Sequence, residues 1–195
     1  MPSPKIERSD AELAQVTVGE RVPHNSTIFL QEYDPQWPRL YAAERQRIQA
    51  ALGAGARQIE HVGSTSVPGL CAKPIIDMLL LVADSADESA YLPAMQKAGY
   101  TLRIREPDWY QHRMFKGPGT DCNIHVFTVG SEEAQRMLLF RDWLRAHPED
   151  RDLYAAAKRR LAARVWRHVQ HYADAKTAVV QQIMQRALAS AGSDR

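Results

Sequence analysis

Cysteine is scarce in this sequence, which contains only Cys71 and Cys122 among 195 residues. Two cysteines form neither a disulfide framework nor a zinc-binding spacing, which argues against small secreted folds and zinc fingers. The sequence also lacks any apolar run of the roughly 20 residues that a membrane-spanning helix needs. Residues 1–15 contain no apolar signal core. We therefore expect a cytoplasmic protein with reduced thiols and no membrane partner.

An excess of charge of one sign is missing as well. The chain has 25 Lys and Arg residues against 23 Asp and Glu residues, a formal net charge of +2. Such a balance gives no reason to expect nucleic acid as a partner. Apolar residues make up 45% of the chain and charged residues 25%, both ordinary for a soluble globular protein. The length fits a single domain with a helical extension.

The order of apolar patterns predicts an α+β fold, with a mixed β-sheet flanked by helices and followed by C-terminal helices. Residues 1–27 are polar and contain three prolines, so we expect a flexible N-terminal arm. We expect a single domain over residues 28–190, with a helical part over 131–190, and a tail over 191–195. The predicted strands are 28–33, 57–62, 74–83, 100–105, 111–116 and 121–129. The predicted helices begin at Asp34, Asp87, Ser131 (as a capping residue), Pro148 (running past Trp166) and Asp174.

The segment from Ile59 to Val82 reads IEHVGSTSVPGLCAKPIIDMLLLV and is the most informative part of the sequence. It predicts an apolar strand, a turn of small residues from Gly63, and a second apolar strand that contains one carboxylate, Asp77. A charged group in such a run is costly to bury unless it has a partner or a metal ion. Asp77 is therefore the first candidate for a functional residue. The structural alternative is a carboxylate that caps a helix or pairs with an arginine.

The turn after the first strand has the groups that bind an anion. Backbone N–H groups at Gly63 and the hydroxyls of Ser64 and Thr65 can cradle a phosphate, although serine and threonine also suit turns for structural reasons. Three basic residues further along, Lys73, Arg113 and Lys116, can offset phosphate charge; solvated surface roles are the alternative for each. Together these residues predict a nucleotide or another phosphorylated small molecule as the ligand.

Two histidines are candidates for ligating a metal ion or for passing a proton near neutral pH. Alternation along the last predicted strand places Asn123 and His125 on one face. His125 can therefore face the site of Asp77 if the two strands lie close together. His61 lies just before the turn and has the same potential. For each histidine, a hydrogen-bonded structural residue is the alternative.

Three blocks of the sequence resemble the GrpB (UPF0157) family. They read HVGSTSVPGLCAKPIIDMLLLV, FRDWLRAHPEDRDLYAAAKRRLA and YADAKTAVVQQIMQRAL. The resemblance covers roughly residues 28–189, and the first block is long and unusual. Because that family is placed in the nucleotidyltransferase superfamily by fold, the resemblance implies a small mixed sheet with helices, followed by C-terminal helices.

The resemblance also implies roles for particular residues. Gly63 and Ser64 match the Gly-Ser pair of the superfamily, and Asp77 matches its first acidic position. Members of the family tend to carry a histidine where His125 stands. Lys176 lies in the last family block and joins the candidates for binding phosphate.

The sequence departs from the pattern of active nucleotidyltransferases at the acidic positions. Those enzymes place two acids one residue apart on this strand and a third on a neighbouring strand, and the three hold two metal ions. Here Asp77 is followed by Met78 and Leu79, and His125 stands near the third position. A site made by Asp77, His125 and His61 would hold Mg²⁺ weakly, whereas Mn²⁺ or Zn²⁺ tolerates imidazole better. The predicted cofactor is a divalent metal ion of one of these three kinds.

Two functions follow from these residues. In the first, the protein is an enzyme that binds a nucleoside triphosphate and a divalent metal ion and transfers the nucleoside monophosphate to an unknown acceptor, with Asp77 and His125 as catalytic residues. In the second, it is a non-catalytic nucleotide- or phosphometabolite-binding module, regulatory or accessory to another enzyme. A weaker third hypothesis is a helical interaction module that uses residues 131–190 on an unknown protein partner. We favour the first, because His61, Asp77 and His125 can form a metal site.

Overall fold

The computed structural model describes residues 9–20 and 25–193, and it confirms the predicted α+β class. The five strands are β1 (Gln58–Val62), β2 (Ile76–Val82), β3 (Thr101–Glu106), β4 (His112–Lys116) and β5 (Cys122–Thr128). The α-helices are α1 (Asp10–Val16), α2 (Trp37–Leu52), α3 (Leu92–Lys97), α4 (Glu132–Ala146), α5 (Pro148–Ala162), α6 (Val169–Asp174) and α7 (Thr177–Ser193).

The strands form one mixed sheet in the order β1-β2-β5-β4-β3. Strands β2 and β5 are parallel neighbours, and the other pairs are antiparallel. The register pairs Asp77 with Val62 on one side and with Asn123 on the other. The sheet order therefore brings together two segments that lie far apart in the chain.

The two faces of the sheet pack against different helices. Met78, Leu80 and Val126 point to what we call the α2 face, where they form the main core with α2 and α3. Leu79 and Phe127 point to the α4 face, where they pack with Ala134 of α4. The predicted alternation along β2 and β5 is thus confirmed, and both faces are covered, as expected for strands so rich in apolar residues.

The C-terminal helices form a second layer beside the edge of the sheet near β1. Val67 and Leu70, which follow the turn, pack with Leu144 of α4, Tyr154 of α5 and Ile183 of α7. The loop between β1 and β2 therefore joins the sheet to the helices.

Two local predictions are wrong, and a third is confirmed only in part. Residues 28–33 form no strand: the backbone of Ile28 donates to Ala162 (3.0 Å), and Gln31 pairs only with Ala72. The helix from Pro148 ends at Ala162, because Trp166 folds back and its indole N–H donates to the carbonyl of Leu161 (2.8 Å). Ser131 stands at the N-cap of α4, as predicted, but its side chain makes no capping hydrogen bond.

Part of the predicted N-terminal arm is ordered against the sheet. Ser9 and Glu12 form a capping box for α1, Leu13 is buried, and the backbone of Val18 donates to Arg103 of β3 (2.8 Å). Residues 1–8 and 21–24 of that arm lie outside the described residues. So do residues 194–195 of the predicted tail, although α7 itself continues to Ser193. Within the described ranges, no helix is long and apolar enough to cross a membrane.

Candidate functional site

Asp77 lies at the start of β2 and is held by side chains of β5. The Asn123 amide donates to Oδ1 of Asp77 at 2.7 Å, and Nε2 of His125 lies 3.8 Å from the same oxygen. The Asp77 side chain is 30% exposed and that of His125 is 25% exposed. The parallel pairing of β2 with β5 therefore brings the two residues together, and both can be reached from solvent.

Gly63 is in direct contact with the Asp77 carboxylate. Its φ of 67° belongs to the left-handed region, and a Cβ at this position would lie 2.6 Å from Oδ2 of Asp77. The hydroxyl of Ser66 donates to the Gly63 carbonyl (2.6 Å) and closes the short 3₁₀ turn Ser64–Ser66. Only glycine satisfies both the backbone conformation and the close approach.

The Gly63 turn and Asp77 line a cavity of about 180 Å³ between the sheet edge and the C-terminal helices, here called the Asp77 cleft. Its lining includes Ser64 from the turn, Arg136 and Arg141 from α4, Tyr154 from α5, and Lys176 just before α7. Burial raises the pKa of Tyr154 to about 12, so its phenol stays protonated at neutral pH.

Positive charge surrounds the single carboxylate. Lys73 and Lys176 flank the ring of Tyr172, with their Nζ atoms 5.8 and 4.9 Å from its centroid. Burial and the charge of Lys176 lower the pKa of Lys73 to about 8, and burial lowers the pKa of Lys176; the charge of Asp77 opposes both shifts. Burial is the main cause of both lowered pKa values, and the nearby carboxylates offset it only in part.

The Asp77 carboxylate is held in its ionised form. Burial acts to raise its pKa, but the neighbouring His125 imidazole, the Asn123 amide and the charge of Lys73 outweigh burial and keep the pKa below its usual range. Asp77 therefore acts as an acceptor at neutral pH and cannot donate a proton there.

A buried chain of side chains fixes the orientation of His125. Nδ1 of His125 lies 3.0 Å from Nε2 of His112, and Nδ1 of His112 lies 2.6 Å from Oε2 of Glu106. The ring of His112 stacks on that of Phe127 at 4.8 Å, and Trp109 packs edge-on against His112. Because an ionised carboxylate can only accept, Nδ1–H of His112 donates the hydrogen bond to Glu106. His125 is thus anchored through Nδ1 and directs Nε2 toward Asp77.

His61 and Thr65 do not join this site. His61 pairs with Met78 and so lies on the α2 face, opposite to Asp77. The Thr65 hydroxyl donates to the Ile75 carbonyl (3.2 Å), so it can only accept from Nε2 of His61, 3.0 Å away. These groups are used within the fold, and the expected joint ligation by His61, Asp77 and His125 has no geometric support.

Arg113 also lies away from the Asp77 cleft. It pairs with Val126 and therefore faces the α2 side, where its Nε donates to Oε1 of Glu88 at 2.6 Å. Arg105 binds the same carboxylate, and the hydrogen bonds from Arg105 and Arg113 lower the pKa of Glu88 to about 2 against the opposing effect of burial. Strand alternation turns Arg113 to the other face, so it is not placed to contact a phosphate in the Asp77 cleft.

Sequence reasoning missed Glu106 and His112, whereas Arg141 lies in the second block of the family resemblance. A signal for His112 was present, since alternation along β4 places it on the same side as Met114, which pairs with His125. Glu106 pairs with His112 across the hairpin of β3 and β4, so this contact is local in the chain. The contacts of Arg141 depend on how α4 packs on β1.

Metal binding at this site would depend on few side chains. Among the described residues, no group of three or more His, Cys, Asp or Glu side chains is placed to hold a metal ion. Asp77 lines the cleft, and Nε2 of His125, on the same face of the sheet, lies 3.8 Å from its carboxylate. A cation held there would need further ligands from outside the chain.

Comparisons with known proteins agree with this fold. A family model described as GrpB protein matches residues 27–186. A UPF0157 protein of Halalkalibacterium halodurans is 64% identical over 183 residues, which cover 94% of each chain. The crystal structure of the conserved protein GrpB from Enterococcus faecalis has 30% identity and a TM-score of 0.73, covering 83% of this chain and 98% of that one.

A weaker likeness is to the structure of a cytoplasmic RNA terminal U-transferase. It has 14% identity and a TM-score of 0.44, covering 68% of this chain and 40% of that one, a level that carries no functional argument. The family model and the high identity to the UPF0157 protein confirm the resemblance seen in the sequence. The chain belongs to the GrpB family.

Proposed function

We propose that this protein binds a nucleoside triphosphate, together with a divalent metal ion, in the Asp77 cleft. The observation that carries the proposal is the contact between Gly63 and Asp77. A phosphate cradled by the N–H groups of the turn would lie directly beside the carboxylate. A metal ion shared by that phosphate and Asp77 would neutralise their mutual repulsion.

The charges around the cleft support a phosphate ligand. Lys73 and Lys176 both have lowered pKa values. An anion bound between them would raise both pKa values and so favour the charged ammonium groups. A triphosphate supplies several acceptor oxygens for ammonium groups and for the Ser64 hydroxyl, which lines the cleft. We therefore assign the phosphate-binding role to Gly63, Ser64, Lys73 and Lys176.

The donor set fits a metal ion that arrives with the phosphates. Mg²⁺ is commonly held by one or two carboxylates, substrate phosphates and water, and Asp77 supplies one such carboxylate. Nε2 of His125 is a second donor, and an imidazole is better suited to Mn²⁺ or Zn²⁺. Asp77 and His125 would hold the ion, which would polarise the bound phosphate.

Transfer of the nucleoside monophosphate to an acceptor is the stronger form of this proposal. The position of His125 beside Asp77 favours it, since His125 is anchored through Nδ1 and its side chain is 25% exposed. The second acid is missing from β2, where Asp77 is followed by Met78 and Leu79, and His125 stands near the third position; both absences favour the alternative, a non-catalytic nucleotide- or phosphometabolite-binding module. Both forms require the same cleft, and they differ only in turnover.

The binding proposal is tested by calorimetry and thermal shift. Common nucleoside triphosphates are titrated with Mg²⁺, Mn²⁺ or Zn²⁺ into the wild type and into Asp77→Asn, Lys176→Met and the control Asp152→Asn, whose carboxylate is 77% exposed. We expect a metal-dependent rise in melting temperature that Asp152→Asn retains and the other two variants lose. Binding that is equally strong in Asp77→Asn would refute this location.

Turnover is tested separately with the same proteins. Release of pyrophosphate from the triphosphate that binds most tightly, in the wild type but not in Asp77→Asn, is the outcome that supports transfer. Binding without pyrophosphate release, with water and common hydroxyl compounds as acceptors, supports the non-catalytic module.

A further inference from the structure

We propose that a second cavity, on the α2 face, binds a small aromatic anion, that is, a ring that carries a phosphate or carboxylate group. The cavity has a volume of about 430 Å³, within the range of small-molecule sites. It shares no lining residue with the Asp77 cleft and lies on the other side of the turn after β1. Its lining consists of Tyr33, Pro38, Tyr41, His61, Ser66, Pro68, Arg145 and Arg151.

The apolar part of this cavity is flat and rigid. The rings of Tyr41 and His61 stack at 4.8 Å with an angle of 9°, and the Tyr41 hydroxyl donates to the Ile59 carbonyl at 2.9 Å. Tyr33 packs edge-on against the buried Trp37 at 5.4 Å. Preformed aromatic surfaces of this kind bind a planar ring with little loss of conformational freedom.

His61 contributes a ring without a charge. Burial and the charges of Arg145 and Arg141 lower its pKa to about 4, although Asp77 opposes the shift. The imidazole is therefore neutral near pH 7, and it supports the Tyr41 ring by stacking on it, with only 6% of its own surface exposed. Its Nε2 is already engaged by Thr65, so the stack offers a face and not a donor.

The charged part of the cavity consists of two guanidinium groups. Arg145 donates through Nε and Nη2 to the Ser66 carbonyl, at 3.1 and 2.8 Å. Arg151 donates through Nη1 to the Pro68 carbonyl at 3.4 Å. These bonds anchor both side chains on the segment after the turn. Nη1 of Arg145 also donates to Oδ1 of Asp142 at 3.4 Å, outside the cavity. No lining residue is an acid.

Arg151 retains an unsatisfied donor. Its Nε is buried and has no hydrogen-bond partner among the described residues, and Oδ1 of Asp152 lies 3.8 Å away, beyond hydrogen-bond distance. Leaving a buried N–H of a charged group unpaired is costly. Nε itself has almost no accessible surface, so an oxyanion in the cavity would bind the terminal N–H groups of Arg151 and offset the charge of the guanidinium group.

The two parts together define the ligand class. A phosphate or carboxylate alone would use the arginines and leave the tyrosine and proline surface in water, whereas a neutral ring would make no use of the two guanidinium charges. A ring joined to an oxyanion uses both parts. This inference does not depend on the proposed nucleotide site.

The test uses phenyl phosphate and benzoate as probes, with phenol and inorganic phosphate as fragments. Binding is followed by the ring resonances of Tyr33 and Tyr41 in NMR spectra. We expect saturable binding of at least one aromatic anion and at least tenfold weaker binding of both fragments, a difference of about 1.4 kcal/mol or more. The tighter of the two anions identifies the preferred oxyanion.

Variants locate the site. Arg145→Gln and Arg151→Gln are expected to weaken the aromatic anion about tenfold or more, while the control Arg160→Gln, an exposed residue on the same helix as Arg151, leaves binding unchanged. Tyr33→Leu, which removes a ring but no guanidinium, is the second variant if an arginine variant fails to fold. It too is expected to weaken binding.

Three results would overturn the proposal. One is the absence of saturable binding by either aromatic anion at millimolar concentration. Another is binding that Tyr33→Leu and the folded arginine variants leave unchanged. The third is loss of probe binding in Asp77→Asn, which would move the site to the Asp77 cleft. Retained probe binding in Asp77→Asn, whatever the result with nucleotides, separates this proposal from the proposed function.

Discussion

At the scale of single residues, the contact between Gly63 and Asp77 determines the shape of the candidate site. A side chain at Gly63 would require an unfavourable left-handed backbone and would overlap the carboxylate. The residue types are visible in the sequence, but the contact is not, because β1 and β2 are joined by a loop whose path the sequence leaves open.

Replacing Gly63 by alanine is expected to destabilise the protein by about 1–3 kcal/mol, because of backbone strain and the overlap with Asp77. Urea unfolding measures the change. The control is Gly119→Ala, since Gly119 has open space at its Cβ position. In an Asp77→Ala background the cost of Gly63→Ala should fall, because part of the overlap is gone. An equal cost in both backgrounds would contradict the contact.

Lys158 is a buried amine outside the candidate site. It is 2% exposed, and its Nζ donates to the Cys71 carbonyl. Burial lowers its pKa from 10.5 to about 7. Below pH 7 the amine is charged in the folded and in the unfolded chain, so the full cost of burying a charge is present.

Between about pH 7 and 10, the unfolded chain binds more protons at Lys158 than the folded protein does. The contribution of Lys158 to the free energy of unfolding therefore rises with pH, by up to about 1.4 kcal/mol per pH unit. We expect the stability of the wild type relative to Lys158→Met to increase over this range in urea titrations. A difference that stays constant with pH would show that the buried amine does not titrate as inferred.

At the scale of elements, the position of α4 on β1 matters most for the Asp77 cleft. Nη1 of Arg141 donates to Oε2 of Glu60 at 2.9 Å and to the His61 carbonyl at 3.0 Å. The side chain is only 11% exposed. One residue thus links the helix that forms a wall of the cleft to the strand that precedes the Gly63 turn.

Replacing Arg141 by glutamine is expected to lower stability by about 1.5–3 kcal/mol, the range for hydrogen bonds to charged groups. Faster hydrogen exchange in α4 and a lower urea midpoint would be the readouts. The matched control is Arg159→Gln, which removes an exposed ion pair with Glu32 and should leave the midpoint unchanged. Equal effects of the two changes would show that Arg141 does not anchor the helix.

At the scale of the whole molecule, the Asp77 cleft exists only because the sheet and the C-terminal helices pack together. Lys73 comes from the loop before β2, and Lys176 from the segment before α7. Their approach concentrates positive charge at one end of the cleft.

This electrostatic arrangement predicts a pH dependence of phosphate binding. Since the pKa of Lys73 is about 8 in the free protein, its charge is present below pH 8 and is lost above it. The affinity for inorganic tripolyphosphate should therefore fall as the pH rises above 8, by up to about tenfold per pH unit. Calorimetry at fixed ionic strength measures the profile. Lys73→Met should bind tripolyphosphate more weakly, and its affinity should depend less on pH. An unchanged pH dependence in this variant would show that Lys73 does not contact the phosphate.

The sequence by itself determined the class of fold and the residues of the Gly63–Asp77 segment. Alternation along β2 and β5, the turn at Gly63 and the family blocks are all local patterns. Such patterns predict local structure because backbone geometry sets the periods of strands and helices. The same patterns located Asp77 and placed Asn123 and His125 on one face.

Only the tertiary structure decided which of these residues meet. The β1-β2-β5-β4-β3 order placed His125 beside Asp77 and turned His61 and Arg113 to the opposite face. It also assembled Glu106 and His112 behind His125 and created the second cavity between α2 and the C-terminal helices. The physical reason is that sheet order and helix docking arise from the burial of apolar faces that lie far apart in the chain. The residues next to a side chain in the sequence do not determine that pairing.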